Sequence, residues 1–167
     1  LECDRTLERL GLVLPTDVQW ERAARAGTTT PWWTGPEESS LEGAENILDK
    51  SSVARFRAWA GGMRMDHADW EDGEPGFGPA GLREKRQANP FGLWDMLGNV
   101  TEWCSNAPYV LGNPLPPPEA ARTERMARGG SARTDPFFCR ASFRGWNNNP
   151  AFRLPALGLR PARELDP

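Results

Sequence analysis

Glycine and proline interrupt this chain along its whole length and limit how much regular structure it can form. The 17 glycines and 16 prolines are close to a fifth of the 167 residues, and both residue types end helices and strands. Eight tryptophans and seven phenylalanines nevertheless supply enough large apolar side chains for a core around irregular backbone. The sequence therefore predicts one loop-rich domain over residues 1–167.

Charge and hydropathy argue against two classes of partner. The formal net charge is −3 and the basic residues are dispersed along the chain, so no surface for nucleic acid is predicted. No apolar run reaches the roughly 20 residues of a membrane-spanning helix, and no signal-peptide pattern is present. We expect a soluble protein, cytoplasmic by default, that binds neither nucleic acid nor membranes.

Cysteine and histidine are too few for the common metal centres. The three cysteines, Cys3, Cys104 and Cys139, show no CxxC spacing, so neither a disulfide framework nor a zinc site is predicted. His67 is the single histidine. It stands among polar and turn-forming residues, where we expect a solvated loop.

The clearest helix signal is the run LPTDVQWERAARAG. Thr16 can cap the first turn while Gln19, three residues on, reaches back to complete a capping box, and Gly27 ends the pattern. Residues 4–12 are consistent with the tail of an earlier helix. Between residues 28 and 90 almost no regular period is found, which predicts turns and loops.

A proline-rich segment, PLPPP at residues 114–118, lies in a second long loop. It fits either a stiff polyproline II spacer or a recruitment motif for a partner domain.

Two carboxylates stand in the apolar block NPFGLWDMLGNVTEWC. An isolated carboxylate in such surroundings is costly unless it is paired or bound to a cation, so Asp95 and Glu102 need a partner. With Gly98 allowing a sharp turn, the carbonyls of Gly98 and Val100 can join both carboxylates around a calcium-type cation. The alternative is that the two carboxylates pair with arginine.

Five segments, in this order, resemble conserved runs of the formylglycine-generating enzyme family, also called the sulfatase-modifying factor domain. They are VLPTDVQWERAARAG (13–27), TPWWTG (30–35), NPFGLWDMLGNVTEWC (89–104), RMARGGSA (125–132) and LGLR (157–160). The resemblance implies an α+β fold of the C-type lectin type, with a small twisted sheet and long ordered loops. Family members begin with a strand-bearing segment before the first helix. We therefore expect this chain to lack that segment, and an N-terminal chain or segment to complete the fold.

The family binds calcium, which gives two expected sets of ligands. The resemblance places the first set at Asp95, Gly98, Val100 and Glu102, the middle two through backbone oxygens. It places the second at Asn46, the Ile47 carbonyl, Asp72 and the Glu74 carbonyl, although the spacing between Asp72 and Asn89 differs from the family's by three residues.

Enzymes of the family hold copper with two cysteines, three and eight positions after the serine of GGS. Counted from Ser131, these positions are Thr134 and Cys139. A single thiolate does not give the two-sulfur site that copper(I) prefers, so copper is not expected. The alternative to a non-catalytic module is an oxidase of the formylglycine-generating type.

The stretch from Gly129 to Arg160 carries large apolar residues with neither helix nor strand period. It resembles the variable proteins of diversity-generating retroelements, which display rewritten C-terminal positions on a fixed scaffold. We expect a surface that binds a protein or other macromolecular ligand. Its residues are Arg133, Thr134, Phe138, Phe143, Trp146, Asn147, Phe152 and Leu154. The alternatives are that these side chains complete the core, or that the chain is a regulatory recognition domain of a larger multidomain protein.

Overall fold

The computed structural model of the chain describes residues 2–56, 66–79, 86–108, 124–151 and 153–164. The proline-rich segment 114–118 and Phe152 lie outside the described residues. Within these ranges the α-helices are α1 (Glu2–Arg9), α2 (Asp17–Arg25) and α3 (Lys50–Phe56). Single turns of 3-10 helix cover Glu38–Leu41 and Pro136–Cys139. The strands of the same ranges are β1 (Thr101–Trp103), β2 (Arg125–Arg128), β3 (Trp146–Asn148) and β4 (Leu157–Leu159).

Helix α2 begins and ends where the sequence predicts. The Thr16 side chain accepts a hydrogen bond from the Gln19 amide at 3.2 Å, and the Gln19 side chain accepts one from the Thr16 amide at 2.8 Å. Ala26 takes a left-handed conformation at the C-terminus and Gly27 follows with φ +95°, because a residue after the last turn must reverse the backbone. Trp20 and Ala24 form the buried face of this helix.

The four strands form one small sheet with the order β3-β2-β1-β4. β1 pairs antiparallel with β2, which places Glu102 opposite Arg128. β1 also pairs in parallel with β4, which places Glu102 opposite Gly158. This topology brings the apolar block, the GGS region and the C-terminal run together at the centre of the domain.

The main core lies between α2, the apolar block and the loops around Leu41 and Cys139. Its central side chains include Trp20, Leu97 and Met126, all fully buried. Gly98 is needed where two loops meet, since a Cβ there would lie 2.4 Å from the Asn46 carbonyl oxygen. The expected α+β, loop-rich, C-type lectin-like architecture agrees with this arrangement of a small sheet and long loops.

In the described part of the region predicted to be loops, two short helical elements are present. α3 and the turn at Glu38–Leu41 are too short to give a readable period. Asp49 starts α3 by accepting a hydrogen bond from the Ser52 amide at 2.8 Å, a local contact that the sequence did not reveal. Across the described ranges, no helix has the length and apolar character needed to cross a membrane.

Candidate functional site

Glu102 lies at the centre of the sheet and is almost completely buried. One carboxylate oxygen accepts hydrogen bonds from Trp20 Nε1 at 2.7 Å and Arg160 Nε at 3.0 Å. The other accepts one from Arg160 Nη2 at 2.7 Å. Burial raises the pKa of Glu102, although the Arg160 guanidinium opposes this effect. The bidentate arginine pair holds the C-terminal run against helix α2.

Asp95 is also buried and paired with an arginine. Arg86 Nη1 lies 2.7 Å from Asp95 Oδ1, and both side chains are at most 5% exposed. The Gly98 carbonyl accepts a hydrogen bond from the Val100 amide at 2.8 Å. Of the two alternatives left open by the sequence, arginine pairing is therefore present in the structure, at buried rather than surface carboxylates. A calcium ion at the first set would share Asp95 and Glu102 with these guanidinium groups, and calcium there stays a prediction.

The second set contains buried acceptors that lack donors. Asn46 Oδ1 and Asp72 Oδ2 accept no hydrogen bond from any described residue. Burial raises the pKa of Asp72 to about 6, and the neighbouring Asp49 charge adds to the rise. The Glu74 carbonyl already accepts hydrogen bonds from Ser52 Oγ at 3.2 Å and the Gly76 amide at 2.7 Å. Unsatisfied carboxylate and amide oxygens are the kind of ligand that calcium takes, and calcium at the second set stays a prediction.

Within the described part of the chain, no group of three or more His, Cys, Asp or Glu side chains is arranged to hold a metal. A cation at either set would therefore depend on amide and backbone oxygens in addition to carboxylates, which calcium accepts.

Removal of calcium is expected to lower the melting temperature, and Asp72→Ala is expected to remove this sensitivity. The reason is that an ion bound only to the folded state stabilises it by mass action. Thermal melting with and without a chelator measures the effect, together with metal analysis of the purified protein. Asp69→Ala, at an exposed carboxylate nearby, serves as the control. Equal melting with and without chelator, and no calcium in the protein, would exclude the site.

Thr134 and Cys139, the two positions that the resemblance equates with the family's copper ligands, lie side by side. Thr134 Oγ1 is 3.3 Å from Cys139 Sγ. Cys139 is completely buried, and burial raises the pKa of its thiol to about 12. Gly130 makes room for it, since a Cβ there would lie 2.2 Å from the sulfur. The arrangement holds one thiol and one hydroxyl, and Cys139 packs as a small buried side chain.

Three phenylalanines line up on the surface beside this pair. The rings of Phe137 and Phe138 meet edge to face with centroids 5.2 Å apart, and those of Phe138 and Phe143 with centroids 5.1 Å apart. The Arg140 guanidinium lies 3.7 Å from the Phe137 ring centroid. Phe137 is 50% exposed, while Phe138 and Phe143 are half-buried. We call Phe137, Phe138 and Phe143 the aromatic ridge.

The other residues of the predicted surface fall in different places. Thr134 directs its hydroxyl inward, where it accepts a hydrogen bond from the Ser131 amide at 2.7 Å. The Arg133 guanidinium lies 4.9 Å from the Phe56 ring centroid. Leu154 is exposed and borders a separate shallow pocket with Trp103.

The backbone of strand β3 carries Trp146 and Asn147 at the sheet edge, opposite Ala127 and Met126. The structure therefore brings Phe138 and Phe143 together. It does not join them to Leu154.

Three features of the site were missed by sequence reasoning. Phe137 was not included in the predicted surface, although it forms the exposed end of the ridge. Glu45 is completely buried and accepts hydrogen bonds from Trp33 Nε1 at 2.7 Å and the Leu97 amide at 3.1 Å. Burial raises the pKa of Glu45 to about 8, and the Asp95 charge adds to the rise.

Arg128 is the third missed feature. It is fully buried and donates to Glu21 at 2.7 Å and to the carbonyls of Ala141 and Phe143. Its guanidinium also lies 5.0 Å from the Trp20 ring centroid. Because the carbonyl of Phe143 is held in this way, the backbone below the aromatic ridge is fixed from within the core.

The family model of the sulfatase-modifying factor enzyme 1-like domain matches residues 8–165. The chain belongs to this family. The match includes both the apolar block with its buried carboxylates and the segment that carries Thr134 and Cys139. In this sulfatase-modifying factor domain, Thr134 stands at one of the two cysteine positions that the resemblance implies.

Three proteins that are similar to this sulfatase-modifying factor domain carry different names. The formylglycine-generating enzyme of Streptomyces coelicolor is 31% identical over 165 residues, which are 93% of this chain and 48% of that enzyme. The solved structure of Treponema denticola variable protein 1 is similar with a TM-score of 0.61 and 27% identity, covering 90% of this chain and 46% of that one. PvdO of Pseudomonas aeruginosa shares the fold with a TM-score of 0.66 and 22% identity, over 97% of this chain and 58% of PvdO. The chain spans about half the length of the curated relatives it matches.

Proposed function

We propose that this domain is a binding module that uses the aromatic ridge to hold a macromolecular partner, and that it does not generate formylglycine. The observation that carries the proposal is the pair Thr134 and Cys139. A hydroxyl 3.3 Å from a buried thiol stands where the enzymes of the family need two sulfur ligands. The chain therefore has the fold of the family but lacks one of the two sulfur ligands of the copper site.

The chemistry of this pair argues against an oxidase. Copper(I) is a soft ion that selects thiolate and thioether ligands, and a threonine hydroxyl is a hard, neutral oxygen. Cys139 alone gives one sulfur, which is one fewer than the two-sulfur site that copper(I) prefers. The hydroxyl of Thr134 therefore does not replace the second sulfur ligand that a copper site of this kind needs.

The aromatic ridge has the composition of an interface. Phenylalanine and arginine are enriched in protein interfaces, where rigid aromatic side chains and guanidinium groups are typical of the contact region. Here Arg140 covers one ring, and the edge-to-face contacts order the three rings before any partner arrives. An ordered ridge loses little side-chain entropy on binding, which favours affinity.

The likeness to Treponema denticola variable protein 1 supports a display role for the same scaffold. The ridge lies in the C-terminal stretch that resembles the variable region of retroelement-encoded proteins. Calcium at Asn46 and Asp72 would stabilise the loops on which the scaffold depends. We propose it as a structural ion and not as part of the binding surface.

Alanine substitutions in the aromatic ridge test whether it is a binding surface or part of the core. Phe143→Ala is expected to lower the free energy of unfolding by about 1–2 kcal/mol, because a half-buried ring loses an edge-to-face neighbour and part of its buried area. Trp32→Ala, at a buried core indole, is expected to cost about 3–5 kcal/mol. Urea unfolding of the two variants measures the difference. Equal, large losses in Phe137→Ala, Phe138→Ala and Phe143→Ala would assign the ridge to the core and remove the proposed surface.

A further inference from the structure

Arg86 lies against the first set of expected calcium ligands and is almost completely buried. Its Nη1 group donates to Asp95 Oδ1 at 2.7 Å. Its Nη2 group has no acceptor among the described residues. A buried charge is costly without a partner of opposite charge, so Arg86 and Asp95 each compensate for the burial of the other. Any cation that binds Asp95 has to displace the guanidinium or share the carboxylate with it.

Other oxygens of the first set also have donors. Both carboxylate oxygens of Glu102 accept hydrogen bonds from Arg160, and one of them accepts a further bond from Trp20 Nε1. The Gly98 carbonyl accepts one from the Val100 amide. A calcium ion takes roughly six to eight oxygen ligands, and here it would also lie beside two guanidinium groups that repel it. The first set therefore does not fit calcium.

The second set differs because its acidic side chains are not paired with a cation. Asp49, beside this set, accepts hydrogen bonds from neutral donors, which are Ser51 Oγ at 2.7 Å and the amides of Ser52 and Asp72 at 2.8 and 2.6 Å. Among the described residues, no lysine or arginine forms an ion pair with Asp49 or Asp72. Asn46 Oδ1 and Asp72 Oδ2 also accept no hydrogen bond from any described residue. The two sets thus differ in whether the chain itself supplies positive charge.

We infer that Arg86 takes the place of calcium at the first set, so that this chain binds calcium at one set and not at the two that the resemblance implies. Asp95 and Glu102 are held by arginines, and calcium binds only at the second set. Because a guanidinium is part of the chain, the packing of the apolar block does not depend on the calcium concentration around the protein. The inference goes beyond the proposed binding role of the aromatic ridge and does not depend on it.

Calcium titration of Asp72→Ala tests the first set alone, because this variant loses a side-chain ligand of the second set. We expect no calorimetric binding up to about 1 mM calcium, and a melting temperature that changes by less than about 1 °C between calcium and chelator. This result does not depend on whether the second set of the native chain binds calcium. If the variant binds one calcium ion per chain, and Asp95→Asn added to it removes that ion, the inference is wrong.

Arg86→Gln in the Asp72→Ala chain is expected to open the first set to calcium. Asp95 loses its cation in this double variant, so calcium at about 10 mM is expected to raise the melting temperature by at least about 3 °C. Arg22→Gln in the same chain is the matched control, since it removes an exposed arginine on α2 and is expected to gain no response to calcium. A folded Arg86→Gln variant that responds no more than this control would show that Arg86 does not keep calcium out of the first set, and would overturn the inference.

Urea unfolding in chelator tests the ion pair itself. Removal of one partner leaves a buried charge without compensation, whereas removal of both partners does not. Arg86→Gln combined with Asp95→Asn is therefore expected to unfold at a higher urea concentration than Arg86→Gln alone. A midpoint for the combined variant at or below that of Arg86→Gln would show that Asp95 is not the partner of Arg86, and the inference would fail. If Arg86→Gln is too unstable to purify, the calcium titration of Asp72→Ala still decides the inference.

Discussion

Glu102→Ala is expected to lower the free energy of unfolding by about 3–5 kcal/mol, in the presence of calcium and in its absence, because it breaks a buried ion pair. The variant leaves the Arg160 guanidinium without its two carboxylate contacts at 2.7 and 3.0 Å. It also leaves Trp20 Nε1 without its acceptor. Trp20 lies in the core, where water cannot easily replace the lost carboxylate, whereas the Arg160 side chain is 28% exposed.

Urea unfolding in calcium buffer and in chelator measures this loss. Glu102→Gln is the matched variant, since it keeps one acceptor oxygen in place and is expected to lose less. Glu164→Ala, at an exposed carboxylate, controls for the removal of one negative charge. A loss seen only in calcium buffer would identify calcium, and not Arg160, as the partner that Glu102 needs. A loss below about 1 kcal/mol in both buffers would contradict the buried ion pair itself.

The sequence predicts the parts of this domain that depend on near neighbours. The capping box of α2 pairs Thr16 with Gln19, three residues apart, and appears in the structure as the residue types require. The burial of Asp95 and Glu102 follows from the apolar residues around them. Thr134 and Cys139 are in contact at the two positions where the resemblance places the family's copper ligands.

The partners of the buried charges could not be predicted, because they come from distant parts of the chain. Glu102 pairs with Arg160, which lies 58 residues away, and Arg128 pairs with Glu21, 107 residues away. Twenty lysines and arginines are available in the sequence, and nothing in their spacing distinguishes these arginines from exposed ones. These ion pairs follow from the order of strands in the sheet and from the packing of the C-terminal run near α2.

The aromatic ridge could be predicted only in part, again because its contacts depend on the folded backbone. Its rings have no helix or strand period, so the sequence indicated a surface but not its shape. The edge-to-face series and the position of Arg140 depend on the 3-10 turn at Pro136–Cys139, which no periodic pattern announces. Phe137 was consequently left out of the predicted surface, and Thr134 was placed in it although its hydroxyl points inward.

Thr134→Cys is expected to convert a chain that does not retain copper(I) into one that binds one ion per chain. The hydroxyl oxygen of Thr134 lies 3.3 Å from Cys139 Sγ. A second sulfur at this position would therefore face the first, and a small movement of the two side chains would make room for an ion between them. Soft copper(I) selects a pair of thiolates, and coordination deprotonates a thiol despite the raised pKa of Cys139. The substitution weakens the hydrogen bonds that Thr134 makes with Ser131, which costs about 1 kcal/mol and leaves the domain folded.

Copper analysis after desalting under reducing conditions measures binding, and the reductant prevents a disulfide between the two cysteines. Thr134→Ser is the matched control, because it keeps a hydroxyl and adds no sulfur. Thr134→Cys combined with Cys139→Ser tests whether both sulfurs are required. We expect the native chain and both controls to emerge without copper, and the native chain to leave a cysteine-containing sulfatase peptide unmodified. Stoichiometric copper in the native chain, or an aldehyde product from that peptide above a metal-only control, would show that a centre exists without Thr134 being replaced. Such a result would indicate that the domain is one of the enzymes of its family.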